Sequence, residues 1–196
     1  DTIIPMLKEA MECLCVDKPE NYATDIGPVI DEKALNSLQN HIARMKQEAT
    51  LLHALEAPIE GSFCAPHLFE LKDISPLTEE VFGPVLHIIR YKGDDLKQVI
   101  ADINSTGFGL TLGIHTRIDF AYHDIADHIH VGNTYVNRGM TGAVVGVQPF
   151  GGEGLSGTGP KAGGPTYLYR FATERTLTIN TTAAGGNTSL VSLADE

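Results

Sequence analysis

Cysteine is scarce in this sequence, and the few that occur follow no regular spacing. The 196-residue chain holds three Cys, and an odd, irregular set excludes the paired framework of a small disulfide-rich secreted protein. Cys13 and Cys15 are one residue too close for a CxxC redox or zinc pair. No helix N-terminus, base or cation stands beside Cys13, Cys15 or Cys64 in the sequence, so all three are predicted to be packing cysteines. We therefore expect a reducing, cytoplasmic environment.

Positive charge and long apolar runs are also lacking. The chain has 14 Lys plus Arg against 25 Asp plus Glu, a formal net charge of -11. This acidic excess repels a phosphate backbone and anionic membrane surfaces, which argues against a nucleic-acid partner. No apolar run approaches the roughly 20 residues of a membrane-spanning helix. The first residues carry acids and a lysine in an amphipathic pattern, which is not typical of a signal peptide.

An initiator Met and a helix cap are missing from the start of the sequence. Asp1 stands directly before a helical pattern of apolar residues, and from this we expect a fragment of a longer protein. The sequence is 42% hydrophobic, and a chain of this length can bury roughly 70% of its unfolded surface without a disulfide or metal. One globular domain is predicted.

Hydrophobic periodicity predicts an α/β domain. Apolar residues three or four apart indicate helices, and β-branched or aromatic runs between turn residues indicate strands. The predicted helices are Thr2–Val16, Glu32–Glu48 with Asp31 as its N-cap, Leu96–Ile103 and Phe120–His128. The predicted strands are Thr50–Leu55, Val85–Tyr91, Leu110–His115, His130–Asn137 and Arg175–Thr181. The alternation of strands and helices after Val85 favours an open, largely parallel sheet with crossover helices.

A glycine-rich segment, Gly139–Gly164, follows this alternation. It holds ten Gly and two Pro among 26 residues, which predicts an ordered loop that can approach a ligand closely. Within it, Gly152–Gly157 spells the GxGxxG pattern of dinucleotide-binding folds. Pro149 before the pattern and Pro160 after it exclude the strand and helix that this fingerprint requires, so a Rossmann site is not predicted.

Three histidines near two aspartates form the one candidate metal cluster. Asp124 and His128 stand four residues apart on a predicted helix, and His123, His130 and Asp127 are close in sequence. His130 falls past the helix end and no Cys joins the group, so we interpret these as solvated or hydrogen-bonded histidines and predict no metal.

Two adjacent carboxylates, Glu79 and Glu80, precede Phe82 and a Gly-Pro turn. Composition alone favours an ordinary solvated loop there. The surrounding sequence, however, resembles the E-E-x-F-G-P-V motif of the aldehyde dehydrogenase superfamily, and four further segments resemble motifs of that family in the same order. The five segments are Pro76–Val85, Gly107–Leu110, Gly132–Asn137, Gln148–Gly152 and Leu155–Gly159.

The resemblance covers nearly all of the chain and is closest to one branch of the superfamily. Gly157–Pro165 with Tyr167 and Leu168 is similar to the anchor loop of the glutamate-semialdehyde (1-pyrroline-5-carboxylate) dehydrogenases. Asn180–Asn187 resembles the C-terminal segment of the bifunctional proline utilization A family. The resemblance implies a partial aldehyde dehydrogenase catalytic domain over 1–172, with the anchor loop at about 157–170. It also implies an oligomerisation strand and tail over 173–196.

The family likeness implies specific roles for six residues. Glu80 is expected to hold the nicotinamide ribose of NAD, and Phe82 to contact the nicotinamide end. The backbone N–H groups of Gly163 and Gly164 are expected to bind the carboxylate of the substrate, while Phe171 and Phe150 pack on its aliphatic part. The implied reaction is NAD-dependent oxidation of L-glutamate 5-semialdehyde to glutamate in proline catabolism, with FAD in a separate proline dehydrogenase module.

The chain departs from the family at the chemistry itself. No segment resembles the loop around the family's nucleophilic cysteine, the segment with its glutamate base, or its nucleotide-binding domain. We therefore assign no catalytic residue and expect these parts upstream of Asp1, with the rest of the polypeptide and further copies of the chain as partners. Two alternatives stay open: a non-catalytic interaction module on this scaffold, and an aldehyde dehydrogenase for another substrate.

Overall fold

The structure is a computed structural model that describes residues 2–180. These residues form two compact units. The first unit runs to Phe108 and adds Thr116–His130, and the second comprises Gly109–His115 and the described residues from Val131 onward. The helices are α1 Ile3–Glu12, α2 Glu32–Glu48, α3 Leu96–Ser105 and α4 Asp119–His128. The strands are β1 Thr50–Ala54, β2 His67–Leu71, β3 Val85–Ile89, β4 Phe108–Gly109, β5 Thr111–Ile114, β6 Asn133–Val136 and β7 Glu153–Gly154. Two 3₁₀ turns lie at Gly93–Asp95 and Tyr167–Phe171.

Helix α2 supplies most of the core of the first unit. Its predicted bounds and cap are confirmed, because the Asp31 carboxylate accepts the Ala34 N–H at 2.7 Å and satisfies a free donor of the first turn. Met45 on α2 and Phe69 on β2 are both fully buried. The core residues are Leu38, Ile42, Met45, Cys64, Phe69 and Leu71. Helix and sheet therefore stabilise each other through one apolar interface.

The sheet prediction is confirmed in part. In the first unit β1 pairs antiparallel with β2, and β2 pairs parallel with β3, with Phe69 opposite His87. In the second unit β5 pairs parallel with β6. Parallel pairing is thus present in two ladders. The single open sheet expected from the sequence is not found among residues 2–180, where the strands form separate ladders and include an antiparallel pair.

One local prediction is wrong and one strand has no counterpart in the sequence analysis. Helix α1 ends at Glu12 rather than Val16, because the Cys15 carbonyl accepts the N–H groups of Asp25 and Ile26 and Val16 bridges Ile26 in extended conformation. The segment around Cys64 was not predicted to contain a strand, yet β2 follows it. The sequence of β2 does not alternate between apolar and polar residues, because the neighbouring Leu68 and Phe69 are both buried.

The predicted C-terminal strand is not formed in the single chain. Arg175–Asn180 is irregular and exposed, and Thr181 lies outside the described residues, as does most of the Asn180–Asn187 segment. The packing prediction for the cysteines also needs correction. Cys64 is buried and Cys15 half-buried, but Cys13 is exposed just past the end of α1. None of the helices in the described part of the chain combines the length and hydrophobicity that a membrane crossing requires.

Candidate cofactor and substrate sites

The loop that carries the two adjacent carboxylates is fixed against α2. Val81 packs on the hydrophobic core. Gly83 lies so close to Leu38 that a Cβ there would come within 2.5 Å of both Leu38 methyl carbons. The Pro84 carbonyl accepts the His67 N–H at 3.0 Å, which joins the end of the loop to β2. A side chain at position 83 would therefore force Leu38 to move.

The same loop presents its polar and aromatic groups outward. Glu79 and Glu80 are exposed, and Phe82 is 85% exposed. Together with the first turns of α2 they border a cleft of about 370 Å³. Its lining is Ile30, Asp31, Lys33, Ala34, Ser37, Leu38, His41, Glu79, Glu80, Val81 and Phe82. The structure thus brings Glu80 and Phe82 to one cleft, where a carboxylate can accept hydroxyl donors beside an exposed ring.

A partly buried chain of polar side chains that sequence analysis missed begins at His41, which lines this cleft. His41 on α2 is only 6% exposed, and its Nε2 lies 2.9 Å from Nε2 of His87 on β3. Arg44 approaches Nδ1 of His41 at 3.4 Å. Burial, then Arg44, hold the pKa of His41 below its ordinary value, although Glu79 and Glu48 oppose this. Burial, then His41 and Arg44, lower the pKa of His87 to about 4.

In the second unit, Asn133 organises the segment that follows β6. Its side chain is nearly buried, with 9% exposure. Nδ2 donates to the Pro149 carbonyl at 2.9 Å, and Oδ1 accepts the Gly151 N–H at 3.3 Å. Because both ends of the amide are used, Asn133 fixes the backbone on either side of Phe150. Sequence reasoning placed Asn133 in a matched segment but gave it no role.

Phe150 and the Gly163–Gly164 turn are brought together. Phe150 exchanges two 3.0 Å backbone hydrogen bonds with Ala162, the residue before Gly163. Gly163 has a φ of 72°, a left-handed conformation that favours glycine. The Gly164 N–H donates to the Lys161 carbonyl at 3.0 Å. The Gly164 N–H is therefore already hydrogen-bonded in this conformation. The two free donors that the family resemblance implies require the bond to Lys161 to open or to be shared with the substrate.

Phe171 is the predicted substrate-binding residue that the structure does not link to Phe150 and the Gly163–Gly164 turn. It ends a 3₁₀ turn, is 77% exposed, and contacts Tyr167 ring edge to face, with centroids 5.7 Å apart. The preceding Arg170 donates to the Thr158 hydroxyl at 3.1 Å, which folds the turn back on the glycine-rich segment.

Two other patterns in the sequence have local structural explanations. A Cβ on Gly157 would lie 2.0 Å from the Gly152 carbonyl oxygen, and the described residues after Gly157 begin no α-helix. The GxGxxG segment is therefore a close backbone crossing. His128 Nδ1 lies 2.7 Å from the Asp124 carbonyl, and among residues 2–180 no group of His, Cys, Asp and Glu is arranged to hold a metal.

Comparison with known proteins gives the family. The model of the Aldehyde dehydrogenase family matches residues 1–177. The chain belongs to the aldehyde dehydrogenase family. Among curated members, it is 50% identical over 183 residues to "Bifunctional protein PutA" of Escherichia coli (strain K12), covering 89% of this chain and 14% of that protein. It is 38% identical over 182 residues to "1-pyrroline-5-carboxylate dehydrogenase" of Anoxybacillus flavithermus, covering 90% of this chain and 35% of that protein.

Solved structures of family members agree. A crystal structure of the bifunctional proline utilization A (PutA) protein is 59% identical, with a TM-score of 0.87 over 94% of this chain and 19% of the other. A 1-pyrroline-5-carboxylate dehydrogenase from Thermus with bound NAD is 37% identical, with a TM-score of 0.75 over 86% of this chain and 33% of the other. The family resemblance inferred from sequence is confirmed, and the chain spans only a small part of each relative.

Proposed function

We propose that this chain is part of an NAD-dependent 1-pyrroline-5-carboxylate dehydrogenase that oxidises L-glutamate 5-semialdehyde to glutamate in proline catabolism. The observation that carries the proposal is the cleft that Glu80 and Phe82 share in a member of the aldehyde dehydrogenase family. Relatives named PutA and 1-pyrroline-5-carboxylate dehydrogenase support the substrate, and the NAD-bound Thermus relative supports the cofactor. In a bifunctional parent, FAD would serve a proline dehydrogenase module outside these 196 residues.

The residues at the cleft suit the nicotinamide end of NAD. An ionised carboxylate accepts two hydroxyl donors at once, so Glu80 can hold both ribose hydroxyls and fix the ring attached to them. The exposed phenyl ring of Phe82 offers an apolar surface for the nicotinamide. NAD, when bound, supplies the hydride acceptor. The chain's own part is to orient it, and a loop held by Val81 and Gly83 does so at little cost in entropy.

The Gly163–Gly164 turn suits the anionic end of the substrate. Successive backbone N–H groups beside a left-handed glycine such as Gly163 can bind an anion, and here the Gly164 N–H would exchange its bond to the Lys161 carbonyl for one to the substrate carboxylate. Each charge-assisted hydrogen bond to a carboxylate contributes about 1.5 to 3 kcal/mol, which favours glutamate semialdehyde over an uncharged aldehyde by about tenfold or more. Phe150, tied to Ala162 beside the turn, offers a surface for the aliphatic carbons.

Glu80 provides the direct test of the cofactor role. In the complete dehydrogenase, Glu80→Gln is expected to weaken NAD binding about 10- to 100-fold, because two charge-assisted hydrogen bonds become neutral ones. The NAD dissociation constant, measured by fluorescence titration, checks this. The matched control is Glu79→Gln, which removes the neighbouring exposed carboxylate from the same cleft and should change NAD binding less than about twofold. Equal effects of the two changes would contradict the proposal.

Gly163 tests the substrate role. Gly163→Ala meets no atom within 4 Å but must adopt φ near 72°, at a cost of about 1 to 2 kcal/mol for an L-residue. We expect the turn to relax and the KM for glutamate semialdehyde to rise about tenfold, with little change for propanal. Gly163→Asn should do less, since Asn tolerates the left-handed region. A KM that rises equally for both aldehydes would count against carboxylate binding here.

The C-terminal segment is proposed to join copies of the chain. Leu177 and Ile179 are 83% and 69% exposed, and alternate residues of an extended segment face the same side. An unpaired apolar edge of this kind favours strand pairing with another chain. We expect sedimentation velocity to reveal self-association that the double change Leu177→Ser and Ile179→Ser reduces. A clean monomer at high concentration of the unaltered chain would contradict this.

A further inference from the structure

Two side chains on one turn of α2, the buried His41 and the half-buried Arg44, hold the two ends of the loop that carries Glu80. We define this loop, residues 77–84, as the cofactor loop. Before it, the Pro76 carbonyl accepts a hydrogen bond from Nη1 of Arg44 at 3.0 Å. After it, His87 on β3 meets His41 at 2.9 Å. Arg44 and His41 are three residues apart and therefore lie on the same face of the helix.

The direction of the hydrogen bonds in this chain of side chains follows from proton counting. Arginine has only donors, so Nδ1 of His41, 3.4 Å from Nη2 of Arg44, must be the unprotonated acceptor. Neutral His41 then carries its proton on Nε2 and donates it to Nε2 of His87. One tautomer of each ring satisfies every contact. The lowered pKa of both histidines agrees with this neutral arrangement.

Removing His41 and His87 from water costs free energy of folding, so we expect their hydrogen bonds to serve another purpose, the fixing of one geometry. His41 is 6% exposed, and its partner His87 is stacked on the buried ring of Phe69 with centroids 6.3 Å apart. Apolar residues of similar volume at positions 41 and 87 would pack there without any polar group to satisfy. A directional polar chain, in contrast, fixes one geometry, because its members can be satisfied in only one arrangement.

We propose that Arg44, His41 and His87 are positioning residues that hold both ends of the cofactor loop to α2 and so set the place of Glu80 and Phe82. The consequence for NAD rests on the function proposed above, but the effect on the loop does not. Within the cofactor loop, Leu77 and Val81 pack on the core and the Pro84 carbonyl accepts the His67 N–H, whereas Glu79, Glu80 and Phe82 face outward. Loss of the contact at either end of the loop should therefore loosen the outward-facing residues of the loop first.

The test compares variants of the complete dehydrogenase by two independent measurements. Arg44→Met and His87→Phe each remove one end of the hydrogen-bonded side-chain network, whereas Arg44→Lys keeps a donor at position 44. Hydrogen exchange of peptides covering 76–85, without NAD, reports the order of the loop. We expect exchange there to speed up about tenfold in Arg44→Met and His87→Phe and by less in Arg44→Lys. The NAD dissociation constant should rise about tenfold, with the aldehyde KM at saturating NAD unchanged.

Two control variants separate positioning from general stability. Lys46→Met removes an exposed cation from the same helix, and Ile42→Val removes a buried methyl group without touching a hydrogen bond. Ile42→Val should lower the melting temperature but leave loop exchange and NAD binding unchanged. Unchanged loop exchange in both Arg44→Met and His87→Phe overturns the proposal. Faster exchange with unchanged NAD binding, in an enzyme where Glu80→Gln is also silent, supports the positioning role and contradicts the cofactor role of the cleft.

Discussion

The 196-residue chain, purified alone, is expected to form no NADH from NAD and 1-pyrroline-5-carboxylate. Oxidation of an aldehyde in this family depends on a cysteine thiolate that attacks the carbonyl and on a base that activates water for hydrolysis. No segment of the chain resembles the sequence around either group. Removing the nucleophile from an enzyme that uses covalent catalysis lowers turnover on the order of a millionfold, so the rate should not exceed the blank.

The three cysteines in the chain are poor substitutes for that nucleophile. Cys64 is 4% exposed, and burial raises the pKa of its thiol, which keeps it protonated at neutral pH. The Cys15 N–H donates to the Asp25 carboxylate at 2.9 Å, so an anion rather than a cation lies beside that residue. Cys13 is exposed past the end of α1, away from any helix N-terminus. No thiol is placed in the electropositive setting that activates a cysteine.

The assay is absorbance at the NADH band, with the complete dehydrogenase as a positive control in the same buffer. NADH formation above the blank would contradict the prediction. In that case Cys13→Ser, Cys15→Ser and Cys64→Ser would identify whether one of these thiols is responsible. NAD binding without turnover remains compatible with the proposed role of Glu80, since holding a ribose needs no nucleophile.

Local signals in the sequence were sufficient for some elements of the fold. Helix α2 was predicted with correct bounds because Asp31 caps it and its apolar residues recur at helical spacing. The end of α1 was not, since Cys15 and Val16 pair with Asp25 and Ile26, and such pairing is not visible in helical periodicity. The strand predicted at Arg175–Thr181 is irregular over residues 175–180, and pairing with another chain, as proposed above, has no signal within one sequence.

The candidate sites show the same difference between local sequence signals and long-range contacts. Glu80 and Phe82 could be selected only through the family resemblance, because two carboxylates before a Gly-Pro turn are otherwise typical of a solvated loop. The contact between His41 and His87 joins residues 46 positions apart and depends on the register of β2 with β3. Asn133 likewise gains its role only when β6 brings it beside Pro149. Long-range polar contacts of this kind have no local sequence signal.

Gly132→Ala is expected to destabilise the second unit strongly. A Cβ at position 132 would lie 1.8 Å from the Gly151 carbonyl oxygen and 2.8 Å from the Gly152 Cα. Both are backbone atoms, so no side-chain rotation can relieve the overlap. The Gly132 carbonyl also accepts a hydrogen bond from Lys161, and its N–H donates to Gly109 at 3.0 Å, which limits movement on the other side.

The expected cost of Gly132→Ala is about 4 kcal/mol or more, the range reached only by severe overpacking or loss of a buried network. Separating Gly132 from Gly151 would also pull on Asn133, whose amide fixes the backbone around Phe150. The matched control is Gly139→Ala, where a Cβ meets nothing within 4 Å and the change should stay within about 0.5 kcal/mol. Urea unfolding of the two variants measures the difference. Equal midpoints would mean that the close crossing of Gly132 and Gly151 does not hold the second unit together.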